Sequence, residues 1–287
     1  MLMIIWLASY PKSGNTWVRS LISSYYFSKD NFKLSDLKKI PNFSVGDFIE
    51  DKELLKNNFD VAAQWLNVQK TINKKYQKTL FFKTHNACVS IKNNNFTDYN
   101  NSLGCIYIVR DPRNVITSYK NFEGRTYEEI LNIMTNRETF LYSTKRFENK
   151  FGFKGFEFMG SWADHYNTWV KNKLNIPICL VKYENLVNDA LGELERMIKF
   201  IASIQKVNDF KFDPVKAKIA LEQSSFENLS RMENEEGFNE IPEALKKKNK
   251  FFNLGEKNNW EKLLPSHIKQ SIEKDFDKEL KELEYII

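Results

Sequence analysis

The chain is poor in the residues that build metal centres and disulfide frameworks: its 287 residues hold three cysteines and three histidines. Cys88, Cys105 and Cys179 have neither the close spacing of metal ligands nor an even number for pairing. That excludes a cysteine metal site and a disulfide scaffold, and predicts reduced core thiols in a reducing compartment. Ten glycines and seven prolines are scattered, and no Gly/Ser-rich or Pro-rich stretch divides the chain, so one domain over residues 1–287 is expected. No apolar run reaches the roughly 20 residues of a membrane span. The opening Met-Leu-Met-Ile-Ile-Trp-Leu is short and has no basic region ahead of it, which predicts neither signal peptide nor anchor, and a soluble, cytoplasmic protein. The net charge of +6 is spread thinly; it suits an anionic small ligand and predicts no nucleic-acid partner. Aromatic residues are plentiful at 14%, with 23 Phe and 12 Tyr, which predicts a large packed core.

The most informative stretch is Ile4 to Phe27. A short apolar run of strand length is followed by Tyr10-Pro11-Lys12-Ser13-Gly14-Asn15-Thr16-Trp17, and then by apolar residues at helical spacing through Trp17, Leu21, Ile22 and Tyr25. Strand, tight loop and helix in that order present unpaired N–H groups and the positive end of a helix dipole, an arrangement suited to phosphate or sulfate. Gly14 allows close backbone approach, Asn15 and Thr16 can cap or donate, and Lys12 adds a mobile charge. The Walker loop places its lysine after a glycine and before Ser or Thr; here Lys12 precedes Ser13-Gly14.

Further strands are expected at Thr79–His85, Leu103–Val109 and Ile176–Leu186, each ending in polar groups. Ligands of doubly wound sheets bind at such carboxyl ends. Lys83 and His85, two residues apart on an extended strand, share a side. After Val109 comes Arg110-Asp111-Pro112-Arg113-Asn114-Val115-Ile116-Thr117-Ser118-Tyr119, with Asp111 a cap, Pro112 in the first helical turn and Ser118 two turns inside. Helical spacing recurs over Phe59–Ile72, from Gly160-Ser161-Trp162 onward, and through Leu191–Ile201. The asparagine-rich residues 86–102 are expected as a surface loop, 230–250 as a mobile flap, and Leu263–Ile287 as one amphipathic helix. Residues 43–48 are candidates to line an acceptor pocket. Arg125, Arg137, Lys145 and Arg146 are expected on solvated faces, or as holders of an anionic acceptor.

The octapeptide at 10–17 resembles the 5′-phosphosulfate loop of the cytosolic-type sulfotransferases, which use the donor 3′-phosphoadenosine 5′-phosphosulfate (PAPS). Lys83-Thr84-His85 resembles the family segment whose histidine is the catalytic base and whose lysine lies near the transferring group. Arg110 through Tyr119 resembles the 3′-phosphate segment, with Arg110 and Ser118 in the matching positions. Residues 160–165 resemble family scaffold, and His165 is read as structural. Weaker likenesses place Tyr183 and Ser225-Phe226 at the adenine, beside Trp17.

The resemblance implies an α/β, three-layer P-loop-like fold with a central parallel sheet flanked by helices. It also implies transfer from PAPS to a hydroxyl on a small molecule or glycan, giving 3′-phosphoadenosine 5′-phosphate (PAP) with no metal. His85, Lys12 and Lys83 would be catalytic; Lys12, Ser13, Gly14, Asn15, Thr16, Trp17, Arg110, Ser118, Tyr183, Ser225, Phe226, Asn253, Leu254 and Gly255 would bind the nucleotide. Two departures are plain. Asn86-Ala87 stands where the family continues Leu-Pro, so acceptor identity does not carry over. Asn253 and Leu254 replace the Arg-Lys of a family Arg-Lys-Gly-x-x-Gly-x-Trp motif, while Gly255 and Trp260 are kept. Lys250, Lys257 or the Lys246–Lys248 run are candidate replacements for the lost cations. Two other readings compete: a non-catalytic anion- or nucleotide-binding scaffold, and a nucleotide-dependent phosphotransferase. The latter would need a Walker lysine and an acidic magnesium ligand, and neither is apparent. The family's C-terminal dimer motif has no match, so no oligomeric state follows.

Overall fold

The computed structural model describes residues 3–28, 31–142, 156–238, 240 and 250–287. The apolar runs form strands because their side chains alternate between two buried faces. β1 (Ile4–Ser9), β2 (Leu80–Thr84), a two-stranded β3–β4 hairpin (Ser90–Ile91 and Asn94–Asn95), β5 (Ser102–Val109), a β6–β7 hairpin (Phe140–Tyr142 and Phe156–Phe158) and β8 (Ile178–Lys182) occur in that order. The central sheet has the order β2-β1-β5-β8, and all its pairings are parallel. Every residue of β1 is buried, as befits a parallel strand covered on both sides.

Period-two alternation sorts the side chains into two cores. Ile5 and Leu7 of β1, with Ile106 and Ile108 of β5, pack against α1 (Asn15–Phe27), and against α7 (Ala190–Ile204) and α8 (Pro214–Gln223). Ile4, Trp6, Tyr107 and Val109 face the other way, into α2 (Asn58–Tyr76), α3 (Pro112–Glu123), α4 (Tyr127–Thr135), α5 (Trp162–Val170) and the C-terminal helices. The result is helix, sheet, helix: the expected three-layer α/β fold with its parallel sheet. The predicted cap holds, since the Asp111 carboxylate accepts from Arg113 N–H and Pro112 begins α3.

Some elements differ from expectation. Residues 86–102 are not merely a surface loop: they contain the β3–β4 hairpin, and Phe96, Thr97 and Asn101 are buried. Buried Gln69 donates to the Phe96 carbonyl and accepts from Thr97, so the polar composition serves internal bonding. The fourth strand stops at Lys182 and Tyr183 opens a short helix, α6 (Tyr183–Asn188). Residues 226–236 form α9, with Leu229, Met232 and Glu233 buried; this corrects the flap expectation for 230–236. Residues 239 and 241–249, with Lys246–Lys248, and also Lys145 and Arg146, lie outside the described residues. The expected single C-terminal helix is divided into α10 (Trp260–Leu263), α11 (Ser266–Asp275) and α12 (Asp277–Glu282), and buried Phe276 at the break packs on Trp162. Among the described residues no helix is long and apolar enough to cross a membrane.

The C-terminal tail fastens the β5–α3 junction. The buried Arg113 guanidinium donates to both Asp111 oxygens, to Glu273 at 2.8 Å and to the Tyr285 carbonyl at 2.8 Å. Tyr285 Oη in turn donates to Glu184, which accepts from Asp111 N–H. Removing one side of such a buried pair strands the other charge. Arg113→Ala is therefore expected to lower unfolding free energy by about 3 kcal/mol, measured by urea titration.

Candidate active site

The loop between β1 and α1 turns through two left-handed residues, Lys12 at φ 67° and Gly14 at φ 101°. A Cβ at Gly14 would lie 2.5 Å from the Tyr183 ring, so glycine is required on both steric and conformational grounds. The left-handed backbone at Lys12 is unusual for a side chain of this size, and such strain gathers at ligand-binding loops. Gly14 itself caps α1, and no side chain takes that role. The Asn15 amide turns back to donate to the Leu7 carbonyl at 3.0 Å and to Ser9 Oγ at 3.1 Å. Of the two roles open to it, capping or donating, it donates, and holds the loop to β1. Ser13 Oγ is buried without a hydrogen-bond partner among the described residues.

Lys12 Nζ lies 4.0 Å from the centroid of Phe122 and 4.2 Å from that of Phe251, between two aromatic faces. Burial, with help from Arg110 and Lys83, lowers its pKa to about 7. Arg110 lies 4.0 Å over the Tyr183 ring and donates to the Lys12 carbonyl. Its Nε is buried without a partner among the described residues. A buried guanidinium N–H without a protein partner is a donor suited to an anion.

At the end of β2, Lys83 and His85 both line the same cavity, as their spacing predicts. His85 Nδ1 is 2.7 Å from the Ser9 carbonyl. A carbonyl only accepts, so Nδ1 carries the proton and Nε2 keeps a lone pair. Burial and the nearby Lys83 charge hold the imidazole pKa well below its usual value, leaving it neutral. His165 is buried and does more than fill the core. Its Nε2 is 3.1 Å from the His85 carbonyl and its Nδ1 is 2.8 Å from Tyr107 Oη, so it donates to the peptide of His85 and accepts from the phenol.

Several participants were not visible in the sequence. Lys83 Nζ pairs with Glu240 at 3.2 Å, and the other oxygen of Glu240 accepts from buried Arg19. Burial raises the Glu240 carboxyl, yet Lys83 and Arg19 outweigh this and hold it well below the usual carboxylate range. Glu157, from β7, accepts from the His85 N–H at 2.7 Å. The β6–β7 hairpin and residue 240 are remote in sequence, and no motif marks them.

The nucleotide-side candidates Ser118, Tyr183, Ser225, Phe226, Asn253, Leu254 and Gly255 all line this cavity, with Lys12, Gly14, Asn15, Thr16, Trp17 and Arg110. Gly255 is left-handed at φ 51°, and a Cβ there would meet the Phe226 ring at 2.9 Å. Asn258 accepts from Thr117 and donates to the Asn114 carbonyl, fixing the 253–260 segment along α3 beside Ser118. Of the candidate replacement cations, Lys250 lines the cavity and donates to Asn234, whereas Lys257 is exposed. Arg125 also lines the cavity, while Arg137 lies outside on the surface, paired with Asp164.

The cavity has a volume of about 1140 Å³. Its lining includes the loop cation Lys12 with Arg110, and apolar residues Phe43, Val45, Val61, Ile133, Phe140 and Met159, some of them from the expected 43–48 segment. Lys83 and His85 lie in the same space, and a cationic pocket joined to an apolar chamber past a neutral histidine is the outline of a group-transfer enzyme.

The sequence model of the sulfotransferase domain matches residues 4–284, and the chain belongs to that family. It is 26% identical to a flavonol 4′-sulfotransferase of Flaveria chlorifolia, over 96% of this chain and 78% of that protein. It is 23% identical to a 3-alpha-hydroxysteroid sulfotransferase of Cavia porcellus, over 82% of this chain and 69% of that protein. Among solved structures, mouse sulfotransferase SULT7A1 complexed with PAP aligns with a TM-score of 0.57 at 16% identity, covering 97% of this chain and 85% of that one. Retinol dehydratase in complex with retinol and PAP aligns with a TM-score of 0.58 at 14% identity, covering 97% and 81%. These alignments show the shared fold.

Because Lys12 is half-neutral near pH 7, an anion that pairs with it should draw in a proton. Binding of a nucleotide phosphate at pH 8 is expected to take up about one proton, seen as a buffer-dependent calorimetric enthalpy, and to take up none at pH 5.5, where Lys12 is already charged and the phosphate, with a second pKa of about 6, releases part of a proton. Lys12→Met should abolish the uptake at pH 8.

Proposed function

We propose that the protein transfers a sulfuryl group from PAPS to the hydroxyl of a small, largely apolar acceptor. The observation that carries this reading is that one cavity is lined together by Lys12, Gly14 and Arg110, by Lys83 and His85 with its proton on Nδ1, and by apolar residues such as Phe43, Ile133 and Phe140. The residues suit the donor: Arg110 Nε lacks a partner among the described residues, and Tyr183 and Phe226 line the cavity beside Gly14 and Gly255. The donor supplies an activated sulfuryl group on a phosphate leaving group.

The loop N–H groups and Lys12 receive the 5′ end, Arg110, Ser118 and Lys250 the 3′-phosphate, and Trp17, Tyr183 and Phe226 the adenine. His85 Nε2 takes the acceptor hydroxyl proton as the oxygen bonds to sulfur and the bond from sulfur to the leaving phosphate oxygen breaks. Lys83, released from Glu240, steadies the sulfuryl oxygens, and Lys12 stabilises charge on the leaving oxygen. Apolar walls favour a phenol or alcohol over a glycan, whose many hydroxyls need polar partners.

Calorimetry with PAP, adenosine 5′-phosphate and ATP, with and without magnesium, tests the donor assignment. Magnesium-independent preference for PAP by at least about tenfold is expected from one additional charge-assisted phosphate contact. Binding of ATP alone with magnesium would favour a phosphotransferase, and no nucleotide binding would favour an inert scaffold. His85→Ala should cut turnover by at least about 100-fold while PAP affinity stays within about threefold.

A further inference from the structure

We propose that Glu157 is a positioning residue that holds the base in place from the peptide side; this rests on the reading of His85 as the base. The carboxylate is buried, and a single oxygen, Oε1, accepts from the His85 N–H at 2.7 Å and from Thr84 Oγ1 at 3.1 Å. Asn42 also bonds to this carboxyl, and Lys83 lies close enough to stabilise its charge; burial nevertheless raises its pKa. A buried carboxylate is costly and is kept only where donors converge on it. Here the donors belong to the turn that leaves β2, the turn that carries the base.

The rest of that turn is tied to the same hairpin. Thr84 Oγ1 accepts from Asn86 N–H, Asn86 Oδ1 accepts from Phe158 N–H at 2.8 Å, and Ala87 N–H donates to the Phe158 carbonyl at 2.7 Å. The Trp169 indole donates to the Asn86 carbonyl. His85 is thereby fixed at three points by three separate elements: its N–H by Glu157, its carbonyl by His165 and its ring Nδ1 by Ser9. Two of these bonds are made by the peptide on either side of the side chain, so they set where Nε2 points without touching the ring. Misplacing a base by about 1 Å costs on the order of 100-fold in rate. Glu157 is the one of the three carried by the β6–β7 hairpin, which also supplies Phe140 and Phe156 to the cavity wall. The same hairpin therefore shapes the acceptor half of the cavity and orients the base toward it.

The test compares Glu157→Gln and Glu157→Ala in the full chain. Gln keeps an oxygen at the bonding position; Ala removes it. For Ala, kcat with a phenolic acceptor is expected to fall about 10- to 100-fold while acceptor KM and the Kd for PAP stay within about threefold. Gln is expected to recover kcat to within about fivefold. Equal losses for Gln and Ala, or parallel losses in kcat, KM and PAP affinity, would assign Glu157 a general structural role and overturn the proposal. Hydrogen exchange at the His85 amide gives a readout independent of turnover: protected in wild type and Gln, and at least about 10-fold faster in Ala. A fast amide in wild type also overturns the proposal. A wild-type chain that turns over no acceptor counts against His85 as base, and the amide exchange then decides the clamp alone.

Discussion

The site depends on one short hydrogen bond, from His85 Nδ1 to the Ser9 carbonyl at 2.7 Å. It joins the carboxyl ends of the adjacent strands β1 and β2, and it exists because their parallel register, with Ala8 opposite Thr84, brings the two chain ends out together. The same register sets the loop between β1 and α1 beside Lys83 and His85. The bond also fixes the chemistry. With its proton committed to Ser9, the imidazole has one free lone pair, and burial keeps it neutral.

Around that bond the cations are held in reserve. Lys12 lies between Phe122 and Phe251, Lys83 against Glu240, and Arg110 over Tyr183. Under the proposed reaction a phosphate or sulfate oxygen would replace the aromatic partners of Lys12 and Arg110, because it binds a lysine or guanidinium more strongly than an aromatic face does. Lys12, Arg110 and Lys83 are close enough to repel one another in the buried cavity. The lowered pKa of Lys12 expresses that repulsion together with the cost of burial.

The fold was largely legible in the sequence because its signals are local. Apolar runs bounded by polar ends gave the four parallel strands, and the spacing within 10–17, 83–85 and 110–119 brought Lys12, Lys83, His85, Arg110 and Ser118 to one cavity. What was not legible is what distant segments contribute. Glu157 and Glu240 are charged residues in stretches without a motif, and only the folded chain brings them to His85 and Lys83. Asn15 could cap or donate, and sequence alone did not show that its amide would turn back to acceptors on β1. His165 looked structural because a lone histidine on an apolar helix face carries no sign of the carbonyl it meets. The asparagine-rich 86–102 stretch looked solvated because polarity alone does not distinguish bonding to water from bonding to a buried glutamine.

The most direct measurement of the central claim is 15N NMR of the imidazole rings. The chain has only three histidines, so His85, His165 and His267 can be assigned by single substitutions. At pH 7 the account requires a neutral His85 with its proton on Nδ1 and an unprotonated Nε2, beside a His165 of the opposite tautomer, with its proton on Nε2. A His85 that is cationic at pH 7, or that carries its proton on Nε2, would contradict it, because no lone pair would then face the cavity.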